Sequence, residues 1–227
     1  MLIVIPEVLT PRELNDLRSE LLSADWIDGK ATAGSQSGAV KFNRQLPELG
    51  DTSVRLGHIV LKKLGQHALF LSAALPKTIY PPLFNRYEGG EHFGTHVDNA
   101  IRPVTGTTQI IRTDLSATLF LSEPDTYEGG ELVIESQFGA QEVKLKAGDM
   151  VLYSATSLHH VEPVSNGQRL CSFFWLQSLV REDSQRALLF DLDQSIQSLG
   201  CELGSNHPET LRLSGVYHNL LRKWADV

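Results

Sequence analysis

Cysteine is scarce in this 227-residue chain: Cys171 and Cys201 stand alone with no C-x-x-C spacing, which excludes a zinc–thiolate site and a disulfide framework. Basic residues are outnumbered. Twenty Lys and Arg against 27 Asp and Glu leave a net charge of −7, so no global positive field exists to attract nucleic-acid phosphates or anionic lipid. No stretch approaches the ~20 apolar residues that span a bilayer. The start, Met1 to Pro6, also lacks a basic leader, so the expectation is a cytoplasmic protein with no nucleic-acid or membrane partner. The Gly-Gly pairs at Gly89-Gly90 and Gly129-Gly130 lack the G-x-x-x-x-G-K pattern of a phosphate loop, and neither ATP nor NAD is called for. What remains, 41 % hydrophobic and 21 % charged, excludes disorder and suits one sizeable core with a small appendage.

Residues 2–5 read as a strand, and Thr10-Pro11-Arg12-Glu13 as the start of a helix over 11–22 with Leu14, Leu17, Leu21 and Leu22 on its buried side. A Gly/Ser-rich loop at 31–40 leads to a second helical segment over 52–74. Residues 77–179 then change to short runs rich in Val, Ile, Thr, Tyr and Phe, set between turn residues. The strands fall at 79–87, 116–121, 131–135, 141–145, 149–153, 159–163 and 169–176. The fold class is mainly β with flanking helices, a jelly roll or related barrel. Beyond Arg181 the period is helical again: Gly200 is placed to end one helix and Asn206 to cap another, giving an α-hairpin with Leu188, Leu192, Ile196, Val216, Leu220 and Trp224 buried. The division is a domain at 1–179 and a helical extension at 180–227, packed on the β core or on a second subunit as a homo-oligomer.

Ligand-capable side chains crowd into the β region. His96-Val97-Asp98 has two-residue spacing, so on an extended backbone the imidazole and carboxylate share a face and reach one ion. A histidine from a later strand completes a two-histidine, one-carboxylate set, which holds non-haem Fe(II) and leaves coordination positions open. His159 and His160 point to opposite faces; His159 shares its face with Val161 and is chosen for the interior, while His160 goes with Glu162. Taken alone, the H-x-D match favours an ordinary hydrogen-bonded histidine. Arg169 changes that balance. Behind the turn sequence Pro163 to Gly167 it opens a strongly β-forming run, and a hairpin of the two strands sets its guanidinium under ~15 Å from the ion, where it can fork onto a carboxylate. His92 is too far along the strand to join the ion, and Arg102 and Arg112 flank a loop at 103–109 that is either a substrate lid or, the preferred reading, a solvated excursion.

His96-x-Asp98, His159-x-Val161-x-Pro163-Val164 and Gly167-x-Arg169 together resemble the Fe(II)/2-oxoglutarate-dependent dioxygenases of the prolyl 4-hydroxylase type. Asn85-Arg86-Tyr87, Phe93-Gly94-x-His96-x-Asp98-Asn99-Ala100, the Gly129-Gly130-Glu131-Leu132 turn and the helical tail extend that resemblance to the bacterial PKHD-type hydroxylases, some of which are called iron-uptake factors, over nearly the whole chain. The resemblance implies a double-stranded β-helix, Fe(II) on His96, Asp98 and His159, 2-oxoglutarate anchored by Arg169 with Tyr87 close by, and L-ascorbate as reductant. Phe93 departs from relatives that carry a tyrosine there. The activity implied is hydroxylation of an unactivated C–H bond with dioxygen, on a peptidyl prolyl or lysyl residue or a small molecule of iron acquisition. Two other classes compete: a non-enzymatic, cupin-like metal-binding or sensing jelly roll, and an interaction module built on the helical tail. Arg169 separates the first pair, because a mere metal holder needs no buried arginine at co-substrate distance.

Overall fold

A computed structural model describes residues 1–32, 38–137 and 139–227, so part of the Gly/Ser-rich loop expected at 31–40 lies outside the described residues. The chain opens with β1 (Leu2–Ile5) and α1 (Pro11–Leu22). Thr10 starts that helix: its hydroxyl accepts from the Glu13 N–H at 3.4 Å while the Glu13 carboxylate accepts from the Thr10 N–H at 3.1 Å. Leu14, Leu17 and Leu21 are buried, whereas Leu22, expected beside them, turns past the apolar stripe and is 63 % exposed. The short strands β2 (Ile27–Asp28), β3 (Lys41–Phe42) and β4 (Arg44–Gln45) precede α2 (Asp51–Leu64) and α3 (Ala68–Ala74). The single helix expected over 52–74 is broken after Leu64, at Gly65, and the His67 imidazole restarts it by accepting from the Phe70 N–H at 3.4 Å. Likewise the strand expected at 79–87 is divided into β5 (Pro76–Ile79) and β6 (Leu83–Glu88), because Pro81 and Pro82 have no N–H to give a ladder.

The strands that follow are β7 (His92–His96), β8 (Ile101–Pro103), β9 (Ile110–Arg112), β10 (Leu115–Phe120), β11 (Tyr127–Gly129), β12 (Leu132–Ser136), β13 (Gly139–Val143), β14 (Met150–Ser154), β15 (His159–Val161) and β16 (Val164–Ser178). They form a large sheet in the order β1-β14-β10-β16-β6-β4-β2, with β5 and β11 also on β16, and a smaller one in the order β13-β12-β15-β7-β3. This is a jelly roll. Period-two alternation decides what each face carries. Leu170, Phe174 and Leu176 of β16, with Leu115, Ala117 and Leu119 of β10, face α1, α2 and α3 in one core; Phe120, Cys171, Tyr87, Leu132, Ile134, Val151, Tyr153 and Val161 form a second core between the sheets.

β15 and β16 do not form the expected hairpin. β15 pairs with β12 and β7 in the small sheet, and β16 joins the large one. The residues read as a turn instead extend β16, with Gly167 opposite Tyr127 and Asn166 opposite Glu128 of β11. Gly167 has a φ of +73°, and a Cβ there would sit 2.2 Å from the Thr126 carbonyl oxygen, so only glycine fits this close pairing.

After β16 come α4 (Asp183–Leu203) and α5 (Pro208–Trp224), an α-hairpin. It packs through Leu189, Tyr217, Leu220, Leu221 and Trp224 onto Leu75 and Val180. Arg186, 1 % exposed, ties the junction: its Nη1 donates to the Val180 and Arg181 carbonyls at 2.7 and 2.6 Å and its Nη2 to Asp183 at 3.0 Å. Leu188 and Val216, expected in the interface, are 59 % and 45 % exposed; the helix presents Leu189 instead, one position round. α4 runs through Gly200 to Gly204, and α5 is capped by His207, which accepts from the Glu209 N–H at 3.3 Å, rather than by Asn206. Among the described residues no helix is long and apolar enough to cross a membrane. Leu189→Ala is expected to lower stability by about 2–5 kcal/mol and Leu188→Ala by less than ~0.5 kcal/mol, as read from urea midpoints of the full chain.

Candidate active site

β7 and β15 lie side by side with His96 directly opposite His159, and the two rings are 4.3 Å apart. Asp98 follows two residues after His96; its Oδ2 stands 3.8 Å from His159 Nε2 and accepts from the Ser116 hydroxyl at 2.5 Å. One ligand atom from each of His96, Asp98 and His159 lies within 4.8 Å of the other two. Both imidazoles are held in one tautomer. The Nδ1–H of His96 donates to the Gly94 carbonyl at 2.9 Å and that of His159 to the Ser157 carbonyl at 3.0 Å, which leaves each Nε2 lone pair available to a metal. Burial, aided by the neighbouring His159, pushes the His96 pKa down to about 4, so the ring is neutral at neutral pH, as ligation requires. His160 lies outside this cluster, with its Nε2 3.1 Å from Glu162, and His92 sits against Phe42.

Arg169 enters the same cavity from the opposite sheet. Its alternation partners on β16, Phe173 and Trp175, line that cavity with it, together with Tyr87, His96, Asp98 and His159. The guanidinium is 1 % exposed and stands over the rings of Tyr87 and Phe120 at 5.2 and 5.3 Å. Its Nε and Nη2 have no hydrogen-bond partner, and buried donors of a charged group call for an anion. Gly130 makes room for it. At a φ of +68°, a Cβ at this position would meet Arg169 Cδ at 2.9 Å and Val164 Cγ2 at 2.8 Å. Tyr87 is fully enclosed, which pushes its phenol pKa up and keeps it protonated, and its hydroxyl oxygen accepts from Asn85 Nδ2 at 3.3 Å. An His₂-carboxylate donor set at one end of a cavity and an unsatisfied buried cation at the other fit Fe(II) and a dicarboxylate.

Most of the other lining residues have no reading as site residues in the sequence, Ser116, Trp175, Asn85 and Lys41 among them. Ser116 and Trp175 fall within expected strands, and Asn85 shares the inward face with Tyr87 by alternation, so period-two counting could have found all three. Lys41 could not have been found that way, since β3 is two residues long. It is 3 % exposed, donates from Nζ to Gln45 Oε1 at 2.8 Å, and has its pKa pushed down to about 8, mainly by burial and then by the charge of Arg102. Arg102, at the edge of the loop at 103–109, stacks its guanidinium on the Trp175 ring at 3.8 Å. Arg112 forks onto Asp114 at 2.6 and 3.0 Å.

A family model described as the 2OG-Fe(II) oxygenase superfamily matches residues 82–177, and one described as the PKHD-type hydroxylase C-terminal domain matches 183–226. A prolyl-4-hydroxylase from Pseudomonas putida has the same fold at a TM-score of 0.52 and 18 % identity, covering 78 % of this chain and 92 % of that one. A Trichoplax adhaerens prolyl hydroxylase, solved with a hypoxia inducible factor peptide fragment, gives 0.55 at 15 % identity over 82 % of this chain and 86 % of its own. Site and fold define a 2-oxoglutarate-dependent oxygenase that uses Fe(II), dioxygen and a hydroxylation substrate. Over the full chain, PKHD-type hydroxylases of Methylobacillus flagellatus and Bordetella pertussis are each 59 % identical, covering 100 % of both sequences in each case. The chain belongs to the PKHD-type hydroxylases. Because the Gly130 position is so close to the Arg169 stem, Gly130→Ala is expected to lower stability by about 1–3 kcal/mol in urea unfolding.

Proposed function

We propose that His96, Asp98 and His159 hold one Fe(II), and that Arg169 takes the distal carboxylate of 2-oxoglutarate with Tyr87 beside it. Bound there, Fe(II) supplies dioxygen activation coupled to oxidative decarboxylation of 2-oxoglutarate, and the product is a hydroxylated C–H position on the substrate. The observation that carries this reading is the buried Arg169 guanidinium, with two unsatisfied nitrogens, on the wall of the cavity that holds the His96–Asp98–His159 cluster. The Gly94 and Ser157 carbonyls hold the ligand tautomers, and Ser116 orients the Asp98 carboxylate. Phe93, stacked on His96 at 3.7 Å, and Tyr153, edge-on to His159 at 5.2 Å, keep water from the ligand rings.

The substrate is a peptidyl prolyl or lysyl residue or a small molecule of iron acquisition. The prolyl hydroxylases among the structural neighbours support the first, and a neighbour from Streptomyces hygroscopicus solved with nickel, 2-oxoglutarate and hygromycin B supports a small molecule. Ascorbate serves as the reductant that keeps iron ferrous. Residues 1–179 act as the catalytic domain and 180–227 as its helical extension, through which copies of the chain associate. The isolated, unpaired Cys171 and Cys201 suit work in a reducing cytoplasm.

Anaerobic titration tests the assignment. Asp98→Ala is expected to lose Fe(II) at micromolar metal. Arg169→Ala should keep iron but weaken 2-oxoglutarate tenfold or more, from the ~2–5 kcal/mol that follow removal of one partner of a buried charge pair. Arg169→Lys should recover only part, since a point charge cannot make two parallel hydrogen bonds. Equal 2-oxoglutarate affinity in wild type and Arg169→Ala would remove the residue from the site.

A further inference from the structure

The turn at Gly129 and Gly130 forms the wall behind Arg169, and a side chain from outside the cavity fastens it. Lys144, one residue past β13, donates from Nζ to the Tyr127 carbonyl at 3.1 Å, to the Gly129 carbonyl at 2.9 Å and to Glu131 Oε1 at 3.2 Å. Those bonds use all three donors of the ammonium. Its Nζ also stands over the Tyr127 ring at 4.2 Å. β11 is only three residues long and, among the described residues, pairs with β16 alone, with a register shift between Glu128 and Gly129. Its two carbonyls, two residues apart, therefore take from Lys144 what a neighbouring strand would give. The turn fits against β16 without slack. A Cβ on Gly129, whose φ is +73°, would fall 2.0 Å from the Pro163 carbonyl oxygen, and one on Gly130 would meet both the Arg169 stem and the Tyr127 ring. Nε and Nη2 of Arg169 have no hydrogen-bond partner among the described residues, so packing against this wall and the Tyr87 and Phe120 rings is what fixes the direction of the guanidinium.

We propose that Lys144 is a positioning residue for 2-oxoglutarate: by fastening the turn from Tyr127 to Gly130 it holds the Arg169 guanidinium in place for the distal carboxylate. Lys144 is not among the residues that line the cavity, and it touches none of His96, Asp98 and His159. Its effect passes through the wall. An arginine fixed before the ligand arrives loses less rotamer freedom on binding, so releasing the wall weakens the dicarboxylate and leaves the metal alone. The proposal rests on the reading above that Arg169 takes the distal carboxylate of 2-oxoglutarate.

Calorimetric titrations of the full-length protein, with Zn(II) and then with 2-oxoglutarate on the Zn(II)-loaded form, test this. Lys144→Met is expected to weaken 2-oxoglutarate about three- to tenfold, the loss that follows when one long side chain has to be ordered on binding, while Zn(II) affinity stays within about twofold of wild type. Lys144→Arg, which can still donate to both carbonyls, should restore most of the loss. On an Arg169→Ala background Lys144→Met should weaken 2-oxoglutarate no further, because the residue through which it acts is gone. Thermal melts identify a variant that fails to fold; if Lys144→Met does, Lys144→Gln, which keeps a donor for the carbonyls, decides by the same comparisons. The proposal is overturned by wild-type 2-oxoglutarate affinity in Lys144→Met, by an equal loss of Zn(II), or by the same loss with and without Arg169. Wild-type 2-oxoglutarate affinity in Arg169→Ala is a different failure: it overturns the reading of Arg169, and the proposal falls with it.

Discussion

A full positive charge, sealed between two sheets, is the constraint around which the β core is arranged. An arginine at 1 % exposure carries a desolvation penalty of several kcal/mol, of which contact with the Tyr87 and Phe120 rings returns only about 1–2 kcal/mol. The chain tolerates this because β16 cannot turn the residue elsewhere. Leu170, Phe174 and Leu176 are committed to the helix-facing core, and a one-residue slip would carry them inward and Arg169 out against the helices. The glycine at 130 and the glycine at 167 then allow neighbouring backbone to close over the strand where any side chain would collide.

What was legible in the sequence was local. His96-x-Asp98 is a local pair, with Asp98 two residues past the end of β7, the helix at Pro11–Leu22 announces itself by its capping box, and His159 separates from His160 by alternation. What failed depended on partners far along the chain. The stretch from Pro163 to Gly167 has turn composition, yet it pairs with β11 and so takes Arg169 to the sheet opposite His159. Helical periodicity in α4 is compatible with either Leu188 or Leu189 facing inward, and the choice was made by where Leu75 and Val180 lie. Lys41 had no signal at all, because a two-residue strand has no period to read.

Net charge describes the outside of this molecule and misdescribes its cavity. The chain carries −7, yet Arg169 and Lys41 line the cavity, and Arg102 covers one of its walls. A small acid approaching the molecule meets an unfavourable field at long range and a favourable one at contact, so selectivity falls on ligands that fit closely enough to leave bulk water behind.

The division of the site between two sheets has a mechanical side. His96 and His159 belong to the small sheet and Arg169 to the large one, and the two sheets meet across their shared interior by packing and a few side-chain hydrogen bonds, Lys41 to Gln45 and Ser116 to Asp98 among them. A ligand held at both ends therefore acts as a rivet through the sandwich. Its arrival would damp the relative breathing of the two sheets, and amide exchange on β7 and β15 would slow in step with exchange on β16, although they belong to different sheets.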